Sequence, residues 1–201
     1  MRKSAVLTIP DQIVNQLRKD IYSGQYKTGE AIKETDLSNR FGVSRGPVRH
    51  ALLQLTKEGL LESKANVGVK VAQQPKPEVF DLIVKLRQEI EFSTMKKIFS
   101  DLDESDMEEL HLILEDMKKS CEEKDVNTVF EIDFSFHEFF IKKYNDPHIS
   151  ELWHSITSRM MMKYSRFDDL IESYYEHKKL MDAIESGDQK LTLKLLKENI
   201  Q

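Results

Sequence analysis

Leu37-Ser38-Asn39-Arg40-Phe41-Gly42-Val43-Ser44-Arg45-Gly46-Pro47-Val48-Arg49 is the stretch whose reading decides the fold. Gly42 permits a sharp turn between two short helices. A helix is expected over 35–41, with Thr35 as N-cap and Gly42 as its stop. A second is expected over 45–58, with Ser44 as N-cap and Pro47 in the first turn, where a missing N–H costs nothing. Val43, Val48, Leu52 and Leu55 fall on one face of this arrangement and suit a core. Arg45 and Arg49 lie four apart on a neighbouring face. A recognition helix needs that division, with one side packed and the other free to enter a major groove about 12 Å wide. Ser44 and the backbone amides of Arg45 and Gly46 suit a phosphate, and Arg45 and Arg49 suit guanine edges.

Outward from this motif, Ile13, Leu17 and Ile21 recur every four residues and mark an earlier amphipathic helix that stops near Ser23-Gly24. Downstream, Val67, Val69 and Val71 alternate with Gly68 and Lys70 and read as a strand, paired in a hairpin with residues 60–63. Lys64, Asn66 and Gly68 would form the tip of a wing that touches DNA. Helix, helix, turn, helix, hairpin is the order of a winged helix-turn-helix. Thr35, Arg40, Ser44, Arg45, Gly46, Arg49, Lys64, Asn66 and Gly68 are its candidate DNA-binding residues.

Charge and punctuation divide the chain. Residues 1–72 hold 12 Lys and Arg against 7 Asp and Glu, and the remainder holds 18 against 28. A basic head on an acidic body suits a polyanion-binding domain joined to a separate sensing domain. Six of the seven glycines precede residue 73, and Pro75 and Pro77 stand in a polar stretch that no helix crosses. The expected division is a winged helix-turn-helix over 1–73, a linker over 74–77 and an all-helical effector-binding and dimerisation domain over 78–201. Its helices are expected over 77–100, 104–122, 127–144, 149–167, 170–185 and 189–199, an antiparallel bundle of about six, so the fold class is mainly α. Leu110, Leu112, Ile113, Leu114 and Met117 form one of its apolar stripes. A single cysteine, Cys121, excludes an internal disulfide and fits a cytoplasmic protein, as does the absence of a secretory signal or a membrane-crossing apolar run.

Asp133 and His137 lie at i and i+4, a spacing that suits either one metal ion or a buried His–Asp hydrogen bond. Phe134, Phe136, Phe139 and Phe140 would give such a site apolar walls. His111, His148 and His154 match no ligand spacing and read as surface or packing residues. Trp153 and Met160-Met161-Met162 read as core or dimer contacts.

Over residues 10–72 the chain resembles the GntR family of bacterial transcription regulators. The resemblance is carried by Ile21-Tyr22-Ser23-Gly24-Gln25-Tyr26, Gly29-Glu30, Gly42 to Leu52, Leu55, Glu58-Gly59-Leu60 and Gly68-Val69-Lys70-Val71. His50 stands where the family usually carries an acidic residue. The stretch from Asp133 to Asn145, with Glu176-His177, Ala183-Ile184 and Gly187-Asp188, is similar to the all-helical FCD effector domain of the FadR subfamily. The resemblance implies a homodimer on a palindromic operator in double-stranded DNA, repression as the commoner mode, and a small-molecule effector, with no membrane involvement. It implies a divalent metal (zinc, nickel or manganese) on Asp133, His137 and His177. Asn199 stands where the last histidine is expected, a weaker ligand suited to harder ions. It also implies that Arg87 helps hold a carboxylate effector; the residues alone allow an ordinary Arg87–Glu91 surface pair equally well. A metal-dependent hydrolase on the helical domain is the alternative from another class. Against it stand the absence of a nucleophile motif, of a placed general base and of a phosphate-binding glycine loop.

Overall fold

A computed structural model describes residues 7–64, 68–162 and 170–200, with the side chain of Lys64 outside what is described. The chain divides into two compact units, broken at Lys76 and Pro77, with the end of the seventh helix from Ser158 onward clustering with the first unit.

The first unit opens with α1 (Ile9–Tyr22), started by a reciprocal capping box between Thr8 and Asp11 with Pro10 in its first turn. α2 (Glu34–Phe41) ends at Gly42, whose φ of 64° is left-handed and favours glycine. Its N-cap is Lys33 and not Thr35, so the helix begins one residue earlier than expected and Thr35 lies inside its first turn. Glu34 and Asp36 near that end complement the helix dipole in place of a side-chain cap. α3 (Arg45–Lys57) follows with Ser44 at its N-cap position, although the Ser44 hydroxyl makes no capping hydrogen bond.

The hairpin pairs β2 (Leu61–Lys64) with β3 (Gly68–Val71), and β1 (Ala31–Ile32) adds to the other edge of β3, in the order β1-β3-β2, all antiparallel. Leu17, Leu37, Val48, Ala51, Leu55 and Leu60 are fully buried and fuse helices and sheet into one core. Each such leucine contributes about 1.5–3 kcal/mol. Val43 packs against this core only in part.

At the C-terminal end of α3 the chain turns through Gly59, with φ 80°. The Arg159 guanidinium lies where a Cβ on Gly59 would sit, and Arg159 Nη1 donates to the Glu58 carbonyl at 3.3 Å. Glu58 accepts a two-pronged bond from Arg18 at 2.9 Å to each oxygen. This turn favours glycine for its φ, and a side chain here would displace the Arg159 guanidinium.

The second unit holds α4 (Pro77–Ile98), a 3-10 turn at Phe99–Asp101, α5 (Glu104–Glu122), α6 (Val126–Tyr144), most of α7 (Pro147–Met161), α8 (Leu170–Glu185) and α9 (Gln189–Asn199). Asp103, Asp125 and Asp188 cap α5, α6 and α9 through their carboxylates, and Asn145 ends α6 in the left-handed conformation. Pro147 occupies the first position of α7, so Asp146-Pro147 starts that helix two residues before the expected 149. α5 packs on α6 and α8, α4 on α6 and α9, and α8 on α9. Of the stripe on α5, Leu110, Leu114 and Met117 are buried, whereas Leu112 is exposed. Among the described residues no helix is long and apolar enough to cross a membrane.

Candidate metal centre and nucleic-acid interface

The buried face of α6 is Val129, Phe130, Asp133, Phe136, His137, Phe140 and Ile141, a helical stripe into which two polar residues have been set. α8 brings His177 to the same place, 1% exposed. Asp133, His137 and His177 each offer a ligand atom, and these atoms lie within 4.8 Å of one another. Phe136 walls the group, with its ring edge-on to His177 at 4.9 Å and to His137 at 5.7 Å. Phe140 is buried behind it, while Phe134 and Phe139 are half-buried, and Phe134 packs on Trp153.

The hydrogen bonds fix which nitrogen of each ring is available. His177 Nδ1 lies 2.7 Å from the Ser173 carbonyl, an acceptor only, so Nδ1 carries the proton. Nε2 is then a lone pair in the neutral ring. It faces Asp133 Oδ1 at 3.2 Å without a hydrogen bond of good geometry, and it is buried. Two lone pairs meeting in a buried site repel unless a proton or a cation stands between them. That is the donor set and the geometry a divalent ion fits.

His137 Nδ1 lies 2.6 Å from Glu91 Oε2 and donates to it, which leaves His137 Nε2 for the cluster. Burial by itself raises the carboxyl of Asp133; a hydrogen bond from His177 and positive charge on His177, His137 and Arg87 reverse this and hold it well below the ordinary carboxylate range, so the carboxylate calls for positive charge beside it, from protonated rings or from a bound cation.

Asn199 lies against the other edge of the His177 ring, with Nδ2 3.5 Å from Nδ1 and with Oδ1 buried and unpartnered. Arg87 is 2% exposed and bonds Glu91 from within the core, so the Arg87–Glu91 pair is not a surface pair. Glu91 went unread in the sequence as a site residue. Its signal was spacing: Ile83, Arg87, Glu91 and Met95 recur every four residues, so two charges continue an apolar stripe and must be buried with it. His111 pairs with Glu185 and His154 with Glu138, His148 is exposed, and none of the three joins the cluster.

In the first unit, Ser44, Arg45, Gly46, Arg49 and His50 are exposed together at the start of α3, while Val48, Ala51 and Leu52 face the core. Arg49 is held by Glu34 through Nε at 3.2 Å and Nη2 at 3.0 Å, with its side chain 72% exposed. The Arg49 hydrogen bond is the chief cause that lowers the Glu34 carboxyl, and the charges of Arg49 and Arg45 add to it. Thr35 is exposed, with its hydroxyl on Asp36. Arg40 is tied to buried Asp20 and lies over the Phe41 ring, a tie between α2 and α1. Gly68 opens β3 opposite Lys64 with φ 94°. Asn66 and the side chain of Lys64 lie outside the described residues.

Residues 10–71 match the family model described as bacterial regulatory proteins, gntR family, and residues 82–201 match that of the FCD domain. An uncharacterized HTH-type transcriptional regulator YdhC of Bacillus subtilis is 32% identical over 142 residues, covering 70% of this chain and 63% of its own length. The gluconate operon transcriptional repressor of Bacillus licheniformis is 29% identical, covering 94% of this chain and 80% of its own. Among solved structures, Escherichia coli McbR/YncC superposes with a TM-score of 0.81 at 24% identity, covering 98% of this chain and 95% of that one, a likeness of fold.

Proposed function

This chain belongs to the GntR family of bacterial regulatory proteins, of the type that carries an FCD domain, and on that premise we propose a cytoplasmic transcriptional repressor released or tightened by a small carboxylate effector. The family consists of DNA-binding regulators and not of enzymes, which removes the hydrolase alternative. The head binds a palindromic operator as a homodimer. Arg45 and Arg49 read base edges, and Ser44, Gly46 and the wing at Lys64, Asn66 and Gly68 meet phosphates. Thr35 and Arg40 flank that surface. Val79, Leu82 and Leu86, exposed on α4 at spacings of three and four, support self-association, because apolar side chains at helical spacing favour a partner helix.

Arg49→Ala should weaken operator binding by about 1–3 kcal/mol and relax specificity at one symmetric base position. Lys64→Ala should weaken binding more evenly across sequences. Electrophoretic mobility shifts on single-base operator variants separate the two effects. An Arg49→Ala protein with unchanged affinity and intact fold would place the recognition helix elsewhere.

One observation carries the effector half of the proposal: Nε2 of His177 and Oδ1 of Asp133 confront one another in the core with no donor between them. Asp133, His137 and His177 would hold a divalent ion (zinc, nickel or manganese); Asn199, which stands on the Nδ1 side of the His177 ring, would have to swing its side chain round to join them as a weaker fourth group. The ion, when bound, supplies a Lewis-acidic anchor for an effector carboxylate. Arg87 lies within electrostatic reach of Asp133 and adds positive charge for the same anion.

A protein saturated at about 100 times its Kd in metal should gain about 2.7 kcal/mol over the chelator-treated form. His137→Ala should abolish that gain, and Asn199→His should enlarge it for zinc or nickel. Thermal unfolding with and without chelator, alongside elemental analysis, measures all three. Unmoved midpoints and no metal would leave the histidines as core hydrogen-bonding groups.

A further inference from the structure

Glu91 is a buried carboxylate of the second unit with three donors. It stands on α4, 2% exposed, and no ligand atom of the metal cluster belongs to it. Its Oε2 accepts from His137 Nδ1 at 2.6 Å. Its Oε1 accepts from Arg87 Nε at 2.7 Å and from Trp153 Nε1 at 2.6 Å. Three donors from three helices, α4, α6 and α7, therefore converge on one buried carboxylate. The Arg87 guanidinium also lies 5.8 Å from the Trp153 ring centre, which closes the group on itself. A buried carboxylate costs several kcal/mol unless it is fully bonded. Such a group is retained where its direction matters.

We propose that Glu91 is the positioning residue of the metal site, holding the proton of His137 on Nδ1 so that Nε2 faces the ion, and that through its other oxygen it reports the state of the site to Trp153 on α7. The inference rests on the metal reading above and deepens it. A carboxylate that takes the second N–H of a ligating histidine fixes the tautomer, locks the ring and makes the ligand nitrogen more basic. Here the same carboxylate also fixes a tryptophan, so a shift of the His137 ring on binding moves the acceptor of the indole N–H. Arg87 then has a second duty. Its charge keeps Glu91 ionised, which keeps Glu91 an acceptor to all three donors.

The test uses the full chain stripped with chelator and then titrated with Zn²⁺ alone. Trp153 is the sequence's only tryptophan, so intrinsic fluorescence reads this one side chain. Wild-type fluorescence should change in step with zinc binding measured by competition with a chromophoric chelator. Glu91→Gln should bind zinc roughly 10- to 100-fold more weakly and lose most of the fluorescence response. The wild type supplies a measurement that needs no variant to fold: ¹⁵N chemical shifts of His137 in the zinc-loaded protein should show Nδ1 protonated and Nε2 coordinated.

Coordination through Nδ1, or a Glu91→Gln protein that binds zinc as tightly as wild type, overturns the positioning role while leaving the metal site intact. Binding that leaves Trp153 fluorescence unchanged overturns the report to α7. A wild type that takes up no zinc overturns the metal reading for that ion, and this inference with it.

Discussion

Operator affinity should fall by roughly a thousandfold or more as salt is raised from about 50 to about 200 mM. The cause is counterion release. Every phosphate neutralised by a lysine or arginine frees condensed cations from the duplex, and that entropy gain shrinks as bulk salt rises. Residues 1–72 hold 12 Lys and Arg against 7 Asp and Glu, and the proposed dimer on a palindrome would double the contacts. Lys64→Ala should lower the slope of log affinity against log salt by about 1 per operator half-site, as loss of a phosphate contact does. Fluorescence anisotropy on a labelled operator gives both numbers. A change of less than tenfold over that range would mean that the basic head does not track phosphates.

The second large effect is on stability in acid. Metal-free protein should lose on the order of 3 kcal/mol as pH falls from about 4.5 to about 2 through Glu91 alone. The carboxyl of Glu91 titrates near its ordinary 4.5 when unfolded and is driven down to about 2 when folded. Between those values the unfolded chain binds the proton and the folded chain does not. The stabilisation is therefore complete above the unfolded value and disappears as pH falls through the folded one. Asp133, lowered by His177, His137 and Arg87 against the cost of burial, adds a loss of the same sign. Urea unfolding midpoints at several pH values, in chelator, follow it, and Glu91→Gln should flatten the profile. Stability that stays level down to about pH 3 would show that the network is not ionised.

Much of this architecture was legible because its punctuation is chemical and local. α5, α8 and α9 run as expected over 104–122, 170–185 and 189–199, since Asp103 and Asp188 cap helices and Gly187 separates two of them. β1 was illegible because two residues, Ala31 and Ile32, carry no period; only their pairing with Lys70 and Val69 makes them a strand. Thr35 misled because cap preference is weaker than the backbone geometry that starts α2 at Glu34.

The spacing of Asp133 and His137 was readable on one helix, but the closeness of His177 depends on α8 packing against its neighbours, which no local pattern encodes. Glu91 was hidden for a related reason. An i, i+4 charge pair taken alone has the same spelling on a surface and in a core, and only the apolar residues that continue its spacing, Ile83 and Met95, mark this one as buried. Tertiary context also set the extent of the first unit, whose cluster includes Ser158 onward from a helix some hundred residues away in sequence.

Glu34 gives the head an internal rival for DNA. The guanidinium of Arg49 already has a two-pronged carboxylate partner, so DNA gains only the difference between its offer and that of Glu34. A lone phosphate oxygen offers about what a carboxylate does and wins little. A guanine edge with correctly placed acceptors, reached together with the phosphate contacts on either side, wins more. With Arg49 reading bases as proposed, Glu34 would raise the affinity that a site has to offer, and some total affinity would be given up in return for rejecting the many wrong sites of a genome.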